Sequence, residues 1–366
     1  AQYIEVSGSY PNASRYVRVK SVAMPTPDYF DNSGTAKSQF TNYLPVVGSG
    51  SYGGSFSGGT GDNIPTDHAG LYYDKISTQT QGLVAADYSD MLTLLANQDD
   101  YRYNLMLLPG LTDASHSSPL TTAINNAQSR GDHLVVIDPV NYGASLTNAK
   151  TEAGGRDTSY AAMYWPWVRT IDPDSGKNVW VPASTVMGGV FAFNDNASEP
   201  WFAPAGINRG GLGTVIQAER KLSATNRDTL YQANVNPIAT FPGTGVVVYG
   251  QKTLQKKASA LDRVNVRRLL IELKEFLGNQ AQNLVFEQNT VNTRNKFLSS
   301  VNPYLDSVVQ RQGLYSYRVV MDDTNNTADV IDRNQLVGQI FIQPAKTAEF
   351  IVLDFTVEPT GATFGA

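Results

Sequence analysis

The sequence of 366 residues contains no cysteine. Disulfide bonds and thiolate metal sites are therefore excluded, and stability must come from packing and hydrogen bonding. Histidine is almost as scarce, because His68, His116 and His133 are its three occurrences. Their spacing places no two of them on one helix face, as a metal site would need. We expect surface or helix-capping roles for these side chains, and no cofactor.

Charged residues are also few. They make up 17% of the chain, against 41% hydrophobic residues, which fits a protein that buries much of its surface against partners. The net charge of −5 gives no electrostatic reason to expect direct nucleic-acid binding. No run reaches the roughly 18 consecutive apolar residues that a membrane span needs, and the N-terminus lacks a signal-peptide pattern. We therefore expect a soluble chain without membrane insertion.

Two glycine-containing segments resemble phosphate-binding motifs without completing one. Gly48–Gly61 is rich in glycine and serine but lacks the Gly-Lys-Ser/Thr that ends a P-loop. Gly245–Thr253 has a P-loop-like spacing with one residue inserted, but its valine run is typical of a strand. The first segment is predicted to be a surface loop and the second a strand, and neither is predicted to bind a nucleotide.

Helix and strand patterns alternate from Asp87 onward. A strand over 104–108 ends at Pro109-Gly110, a helix runs from Pro119 to Arg130 with Gly131 as its stop, and a strand follows over 133–140. A right-handed crossover makes such strands a parallel pair. Asp138 lies at a strand end, where such sheets often bind ligands, but an aspartate before proline is more typical of a turn. An α/β enzyme stays an alternative that no complete motif supports.

An aromatic-rich segment follows. Tyr164–Val168 and Val179–Val181 flank the turn sequence Asp172–Gly176, which predicts a β-hairpin. Its four aromatic residues are interpreted as core or subunit contacts, because no acidic pair accompanies them as in a glycosidase. A helix capped by Ser184 is predicted to follow, ending near Asn194.

The C-terminal part combines two helices with three strands. An amphipathic helix is predicted from Asp262 to Leu277, stopped by Gly278, and a second from Asn289 to about Gln310, broken or kinked by Pro303. The predicted strands are Leu314–Met321, Leu336–Gln343 and Phe350–Val357. They would form a small sheet with open edges, which a monomer normally protects.

A series of motifs follows from Trp201 to about residue 357: Pro204–Gly210, Arg227–Tyr231, Val235–Ile238, Val248–Thr253, Asp262–Leu269, Phe286–Glu287, Tyr317–Val319, Asn325–Thr327, Val330–Asn334 and Ile342–Ala345. In this order the motifs resemble the C-terminal half of phage tail sheath proteins, above all those of T-even-like contractile-tailed phages. The opening Ala1-Gln2-Tyr3-Ile4 departs from the Ser-Pro-Gly-like start of the family's N-terminal arm, so we expect a fragment or processed chain.

The resemblance implies a multidomain sheath subunit of class α/β plus α+β. Residues 1–65 are expected to be a β-rich, Gly/Ser-rich segment that packs on or joins an α/β domain at 66–200. Residues 201–366 are expected to be the C-terminal sheath domain, an α+β domain with a C-terminal arm from about residue 345. Its small open sheet would be completed by the arms of neighbouring subunits.

The function implied is structural, without catalysis or cofactor. The subunit would polymerise helically, as hexameric rings, around a tail tube and contract to drive the tube through the host envelope for genome delivery. Implied partners are further copies of the chain, the tail tube protein, and baseplate and tail terminator proteins, with assembly in the host cytoplasm into the virion tail. A sheath of a phage-like bacteriocin or a contractile secretion system is the alternative that shares this domain.

Two sets of residues are expected to make the contacts between subunits. Arg263, Arg267 and Arg268 are candidates for contacting an acidic tube or neighbour, although a solvated helix face is the alternative interpretation. The resemblance implies that the last strand is donated to a neighbouring subunit. Its residues are Phe350, Ile351, Val352, Leu353, Asp354, Phe355, Thr356 and Val357.

Overall fold

The computed structural model describes residues 85–173 and 176–349. Its largest sheet has five strands in the order β1-β2-β3-β7-β8, of which the first four are parallel and β8 runs antiparallel to β7. The predicted parallel pair is thus confirmed as β1 and β2. The strands are β1 (Leu105–Thr112), β2 (Leu134–Asp138), β3 (Ala161–Trp165), β7 (Val235–Phe241) and β8 (Gly245–Val248).

Helices cover both faces of this sheet. All five residues of β2 are buried, with Val135 and Ile137 in one apolar cluster and Leu134 and Val136 in the other. Burial on both faces is what a parallel sheet requires, and it explains the uninterrupted Leu-Val-Val-Ile run. One face is covered by α1 (Ala85–Leu95), α2 (Asp113–Arg130) and α3 (Leu146–Gly154), and the other by α4 (Ala183–Ala197) and α6 (Val264–Gln282).

The predicted domain boundary at residue 201 divides this sheet. Strands β7 and β8 lie after the boundary in sequence, yet β7 pairs with β3 through Met163–Val235, Tyr164–Asn236 and Trp165–Pro237. Recognisable motifs begin near Trp201 and predict a boundary there, but backbone pairing decides which strands belong to the sheet. The α/β part therefore extends to at least Val248. The predicted segment 1–65 lies outside the described residues.

Local predictions near β1 and α2 are partly wrong. Strand β1 continues past Pro109-Gly110 to Thr112. The backbone bends there without ending the strand, because Gly110 has a φ of +98° and the pairing with β2 shifts register between Leu107 and Thr112. Helix α2 begins at Asp113 and contains a non-helical residue at His116. Its predicted end is confirmed, since Gly131 is left-handed and its N–H donates to the Ala127 carbonyl.

The predicted β-hairpin is confirmed, but its first strand begins at Val168 and not at Tyr164. Strand β4 (Val168–Ile171) pairs antiparallel with β5 (Asn178–Val181) and, on its other side, with β6 (Val215–Ala218). Tyr164 and Trp165 belong instead to β3, and a cis peptide bond before Pro166 separates the two strands.

Two predicted helix ends are wrong. Ser184 does not cap α4, which begins at Ala183, because its side chain bonds to Asp138. Helix α6 runs past Gly278 to Gln282, since that glycine lies in open space and needs no left-handed backbone.

The C-terminal part packs around its own apolar cluster. Helix α7 (Val291–Gln310) lies against α6 and continues through Pro303 as one helix. Trp201, Leu269, Val301 and Leu305 contribute to the cluster. The remaining elements are α5 (Ala224–Gln232), a short 3-10 turn at Ala260–Asp262, β9 (Leu314–Val320), α8 (Ala328–Asp332) and β10 (Gln339–Pro344).

Candidate assembly interface

Strands β9 and β10 form a two-stranded antiparallel sheet on the C-terminal part. Phe341 pairs with Arg318 and Ile342 with Tyr317. Tyr317, Ile340 and Ile342 pack against the apolar cluster beneath, whereas Tyr315 is 65% and Phe341 56% exposed. The alternation of β10 therefore gives the sheet one packed face and one face that carries exposed aromatic rings.

Each strand of this sheet has a second edge. In residues 85–173 and 176–349, β9 pairs with β10 alone and β10 with β9 alone, so both outer edges keep unpaired backbone groups. Such edges accept a further strand through main-chain hydrogen bonds. The predicted donor strand Phe350–Val357 lies outside the described residues, and its donation stays a prediction.

Arg263 connects the start of α6 to the end of the described chain. Its Nε lies 2.7 Å and its Nη2 3.0 Å from the two carboxylate oxygens of Glu349, and Asp262 lies 3.0 Å from its Nη1. Gln251 also donates to Glu349 and to Thr347. The residues just before position 350 are therefore fixed on this subunit's own surface.

Arg267 and Arg268 lie inside the subunit. Each is 4% exposed, so the alternative of a solvated helix face is wrong for both. Arg268 makes two hydrogen bonds with Asp195, of 2.7 and 2.5 Å, and its guanidinium lies over the Phe191 ring. Arg267 donates to Ser159 and lies 4.0 Å from the centroid of the Tyr160 ring, and burial lowers the pKa of its guanidinium. A contact of the three arginines with a tube or neighbour stays a prediction, with Arg263 the most exposed of them.

A cavity of about 930 Å³ opens beside this sheet. The end of α7 and the start of β9 line one side of it. The loops at 201–209, 249–251 and 345–349 line it as well, together with residues 227–231 of α5, Pro237 and Asn265. Its lining includes Trp201, Phe202, Tyr231, Tyr249 and Tyr315. A side chain that enters the cavity would therefore contact aromatic rings.

The buried Asp138 of the α/β part has a structural partner. Asp138 accepts hydrogen bonds from the backbone N–H and hydroxyl of Ser184, and burial raises its pKa to about 7. His116 and His133 are buried, so surface roles are wrong for both. A capping role is found for His116, whose Nδ1 accepts a hydrogen bond from the backbone N–H of Thr112 at the start of α2, and His68 lies outside the described residues. The part of the chain that the structure describes holds no cluster of three metal-ligating side chains. No helix within it has both the length and the apolar character to cross a membrane.

Two family profiles match the chain in succession. The first, described as the phage tail sheath protein central domain, matches residues 82–254. The second, described as the phage tail sheath C-terminal domain, matches residues 256–358.

The chain belongs to the phage tail sheath family.

The change from one sheath domain to the next falls after β8, in agreement with the five-stranded sheet and not with the boundary predicted at residue 201.

Curated relatives of this sheath-family chain are themselves tail sheath proteins. That of Vibrio phage KVP40 is 40% identical over 228 residues, which cover 62% of this chain and 33% of the relative. That of Enterobacteria phage T4 is 39% identical over 227 residues, which cover 60% of this chain and 34% of the relative. The matched region spans about one third of the length of each relative.

Solved structures of contractile systems share the fold of this sheath-family chain. The sheath complex of an extracellular contractile injection system in the contracted state has a TM-score of 0.63 and 25% identity, covering 72% of this chain and 74% of that one. The helical sheath of the anti-feeding prophage in the contracted state has a TM-score of 0.60 and 24% identity, covering 74% and 75%. The mixed α/β class expected from the sequence is confirmed.

Sequence reasoning missed the partners of the predicted arginines. Asp195 and Glu349 lie 73 and 86 residues from Arg268 and Arg263, so no local spacing pointed to them. The sequence offered one signal that these arginines are buried. Arg267 and Arg268 stand between the apolar residues Val266 and Leu269 of α6.

Proposed function

We propose that this chain is a structural subunit of a contractile phage tail sheath, which polymerises helically around a tail tube and contracts to drive the tube through the host envelope. The observation that carries the proposal is the ordered match to both sheath domains over residues 82–358. The work is done through subunit contacts, without catalysis. Copies of this chain, a tail tube protein, and baseplate and terminator proteins are the partners, and the virion tail, assembled in the host cytoplasm, is the location.

The open sheet supports a mechanism for linking subunits. Residues 350–357 alternate apolar Ile351, Leu353 and Phe355 with Val352, Asp354 and Thr356, a pattern that needs a partner sheet to cover one face. Donated to the β9–β10 sheet of a neighbour, six to eight backbone hydrogen bonds at about 1 kcal/mol net each would hold the copies together. Arg263 binds Glu349 within the same subunit, so the crossing to the neighbour would begin after Glu349 rather than at about residue 345, where the arm was predicted to start.

The proposed assembly is head-to-tail. A contact between two different surfaces of one chain propagates into an open helix rather than closing as a dimer. Better burial and charge pairing between subunits in the contracted state would drive contraction, with no need for ATP. We place the C-terminal domain, which the second family profile matches at residues 256–358, against the tube and the α/β part outside it. A cryo-EM map with residues 87–140 nearest the tube would contradict that placement.

Electron microscopy of the purified chain tests the proposal. The chain of 366 residues should form helical tubes, whereas a variant lacking residues 350–366 should stay monomeric with nearly the same melting temperature in circular dichroism. This deletion keeps Glu349 and its contact with Arg263. Tube formation by the truncated chain contradicts strand donation. Failure of the 366-residue chain to assemble both alone and on isolated tail tubes contradicts the proposed function.

The sheath of a bacteriocin or contractile secretion system is a second candidate. The 25% identity to the contracted injection-system sheath favours it, and the 39–40% identity to two phage sheath proteins favours the phage. Negative-stain images of the native particle separate them, because a phage alone carries a DNA-filled head.

A further inference from the structure

The loop between α6 and α7 carries a fully exposed aromatic ring. Phe286 is 103% exposed and has a φ of +70°, in the left-handed region that side chains rarely adopt. Val285 and Val291 beside it are 59% and 58% exposed. An apolar group of this size on a strained backbone is unfavourable in water, which points to a surface that is covered by a partner.

The next residue adds a charge to the same loop tip. Glu287 is exposed, and its carboxylate has no partner in residues 85–173 and 176–349, although its backbone N–H donates to the Leu284 carbonyl. We name residues 285–287 the tip. It presents a benzene ring and a free carboxylate next to each other.

The cavity described above has room for an aromatic ring and contains two arginines that could pair with a carboxylate. Its volume of about 930 Å³ exceeds what a phenylalanine side chain needs, and aromatic rings line it. Arg209 and Arg227 also line it, together with Asp228 and with Glu349, whose carboxylate is already paired with Arg263. Arg209 lies over Phe202 and Arg227 over Tyr249, and neither arginine has a carboxylate partner in the described part of the chain. An entering aromatic ring would meet aromatic walls, and a carboxylate beside it would meet an arginine.

The tip and the cavity lie at opposite ends of one helix. The tip precedes α7, and Val309, Gln312 and Tyr315 at the other end of α7 line the cavity. A helix of 20 residues is about 30 Å long. The tip therefore cannot fill the cavity of its own subunit, and two such different surfaces make a head-to-tail contact when copies meet.

We propose that the Phe286–Glu287 tip of one copy inserts into the cavity of the next copy, with Glu287 pairing with Arg209 or Arg227. This contact rests on the proposed polymerisation and is separate from strand donation. The occupant of the cavity is therefore a second copy of this chain and not the tail tube.

One substitution changes the tip and a second changes the cavity. Phe286→Ser removes the ring from an exposed loop, and Ala348→Trp narrows the cavity from an exposed position on its rim. Each variant should weaken self-association in sedimentation velocity at least tenfold, as expected for loss of a buried aromatic anchor. Leu94→Ser, which removes another apolar side chain that is 56% exposed, is the matched control and should associate like the wild type.

Mixing the two variants tests the direction of the contact. The Phe286→Ser chain keeps its cavity and the Ala348→Trp chain keeps its tip, so an equimolar mixture should recover wild-type contact strength as a one-to-one complex. If both variants associate like the wild type, the inference is overturned while the proposed function stands. If Phe286→Ser associates normally but no longer binds isolated tail tubes, the tube is the occupant and the inference is likewise overturned. A wild-type chain that associates neither alone nor on isolated tail tubes overturns both.

Discussion

The carboxylate of Asp138 binds the first turn of α4 through Ser184. Its Oδ1 accepts from the Ser184 N–H at 3.0 Å and its Oδ2 accepts from the Ser184 hydroxyl at 2.5 Å, with both residues fully buried. The end of β2 is thereby joined to a helix 46 residues away in sequence. An anion at a helix N-terminus satisfies backbone donors that would otherwise lack partners.

Loss of the Ser184 hydroxyl is expected to destabilise the α/β part. Ser184→Ala removes one donor from a buried carboxylate and should lower the free energy of unfolding by about 1–3 kcal/mol, the cost of an unsatisfied buried group. Urea unfolding followed by circular dichroism measures the change. Thr185→Ala, at the next and exposed position of α4, is the control and should stay within about 0.5 kcal/mol of the wild type. Equal losses in both variants would contradict the prediction.

The buried Asp138 should make stability depend on pH. Burial raises its pKa in the folded chain to about 7, against 3.8 as the ordinary value. Between these pH values the folded state keeps a proton that the unfolded state has lost, so this group's contribution to stability falls as pH rises from about 4 to 7 and is constant above that. The wild type should lose up to a few kcal/mol over this range relative to Asp138→Asn. Parallel pH profiles of the two proteins would show that the carboxylate does not titrate there.

Asp195 is expected to stabilise the subunit itself. Asp195→Ala leaves the buried Arg268 without its carboxylate and should cost about 2 kcal/mol, less than the roughly 3–5 kcal/mol of a fully buried pair because Asp195 is 31% exposed. Asp329→Ala breaks the exposed pair with Arg333 and should cost at most about 0.5 kcal/mol. Thermal melts of the two variants compare them. If Arg268 instead serves a tube or a neighbour, Asp195→Ala would change assembly and leave the melting temperature unaltered.

Gly210 and Gly211 should respond oppositely to the same substitution. A Cβ on Gly210 would lie 2.6 Å from the Val248 carbonyl oxygen and 2.9 Å from backbone atoms of Ala205 and Gly206, whereas one on Gly211 would meet nothing within 4 Å. Gly210→Ala should therefore destabilise by about 1–3 kcal/mol or more, because backbone must move. Gly211→Ala should be neutral or slightly stabilising. A melting temperature equal to that of the wild type in both variants would contradict the close approach.

The sequence by itself predicted the parts of the fold that local patterns control. The Leu-Val-Val-Ile run of β2 and the glycine stop of α2 follow from periodicity and backbone preference, and both are found in the structure. Of the apolar positions predicted for α6, Val266, Leu269 and Leu273 are buried. The resemblance of the motifs after Trp201 predicted the family. These signals lie within a few residues of one another, so no knowledge of distant contacts was needed.

Only the tertiary structure decided which distant residues are partners. Glu349 pairs with Arg263, 86 residues away in sequence, and Asp195 pairs with Arg268, 73 residues away. The charges of these two arginines are therefore neutralised within the subunit. Ser184 became a donor to Asp138 instead of a helix cap because β2 ends beside it. Strands β7 and β8 joined a sheet on the far side of the predicted boundary. Backbone pairing and charge neutralisation depend on proximity in space, which sequence separation does not encode.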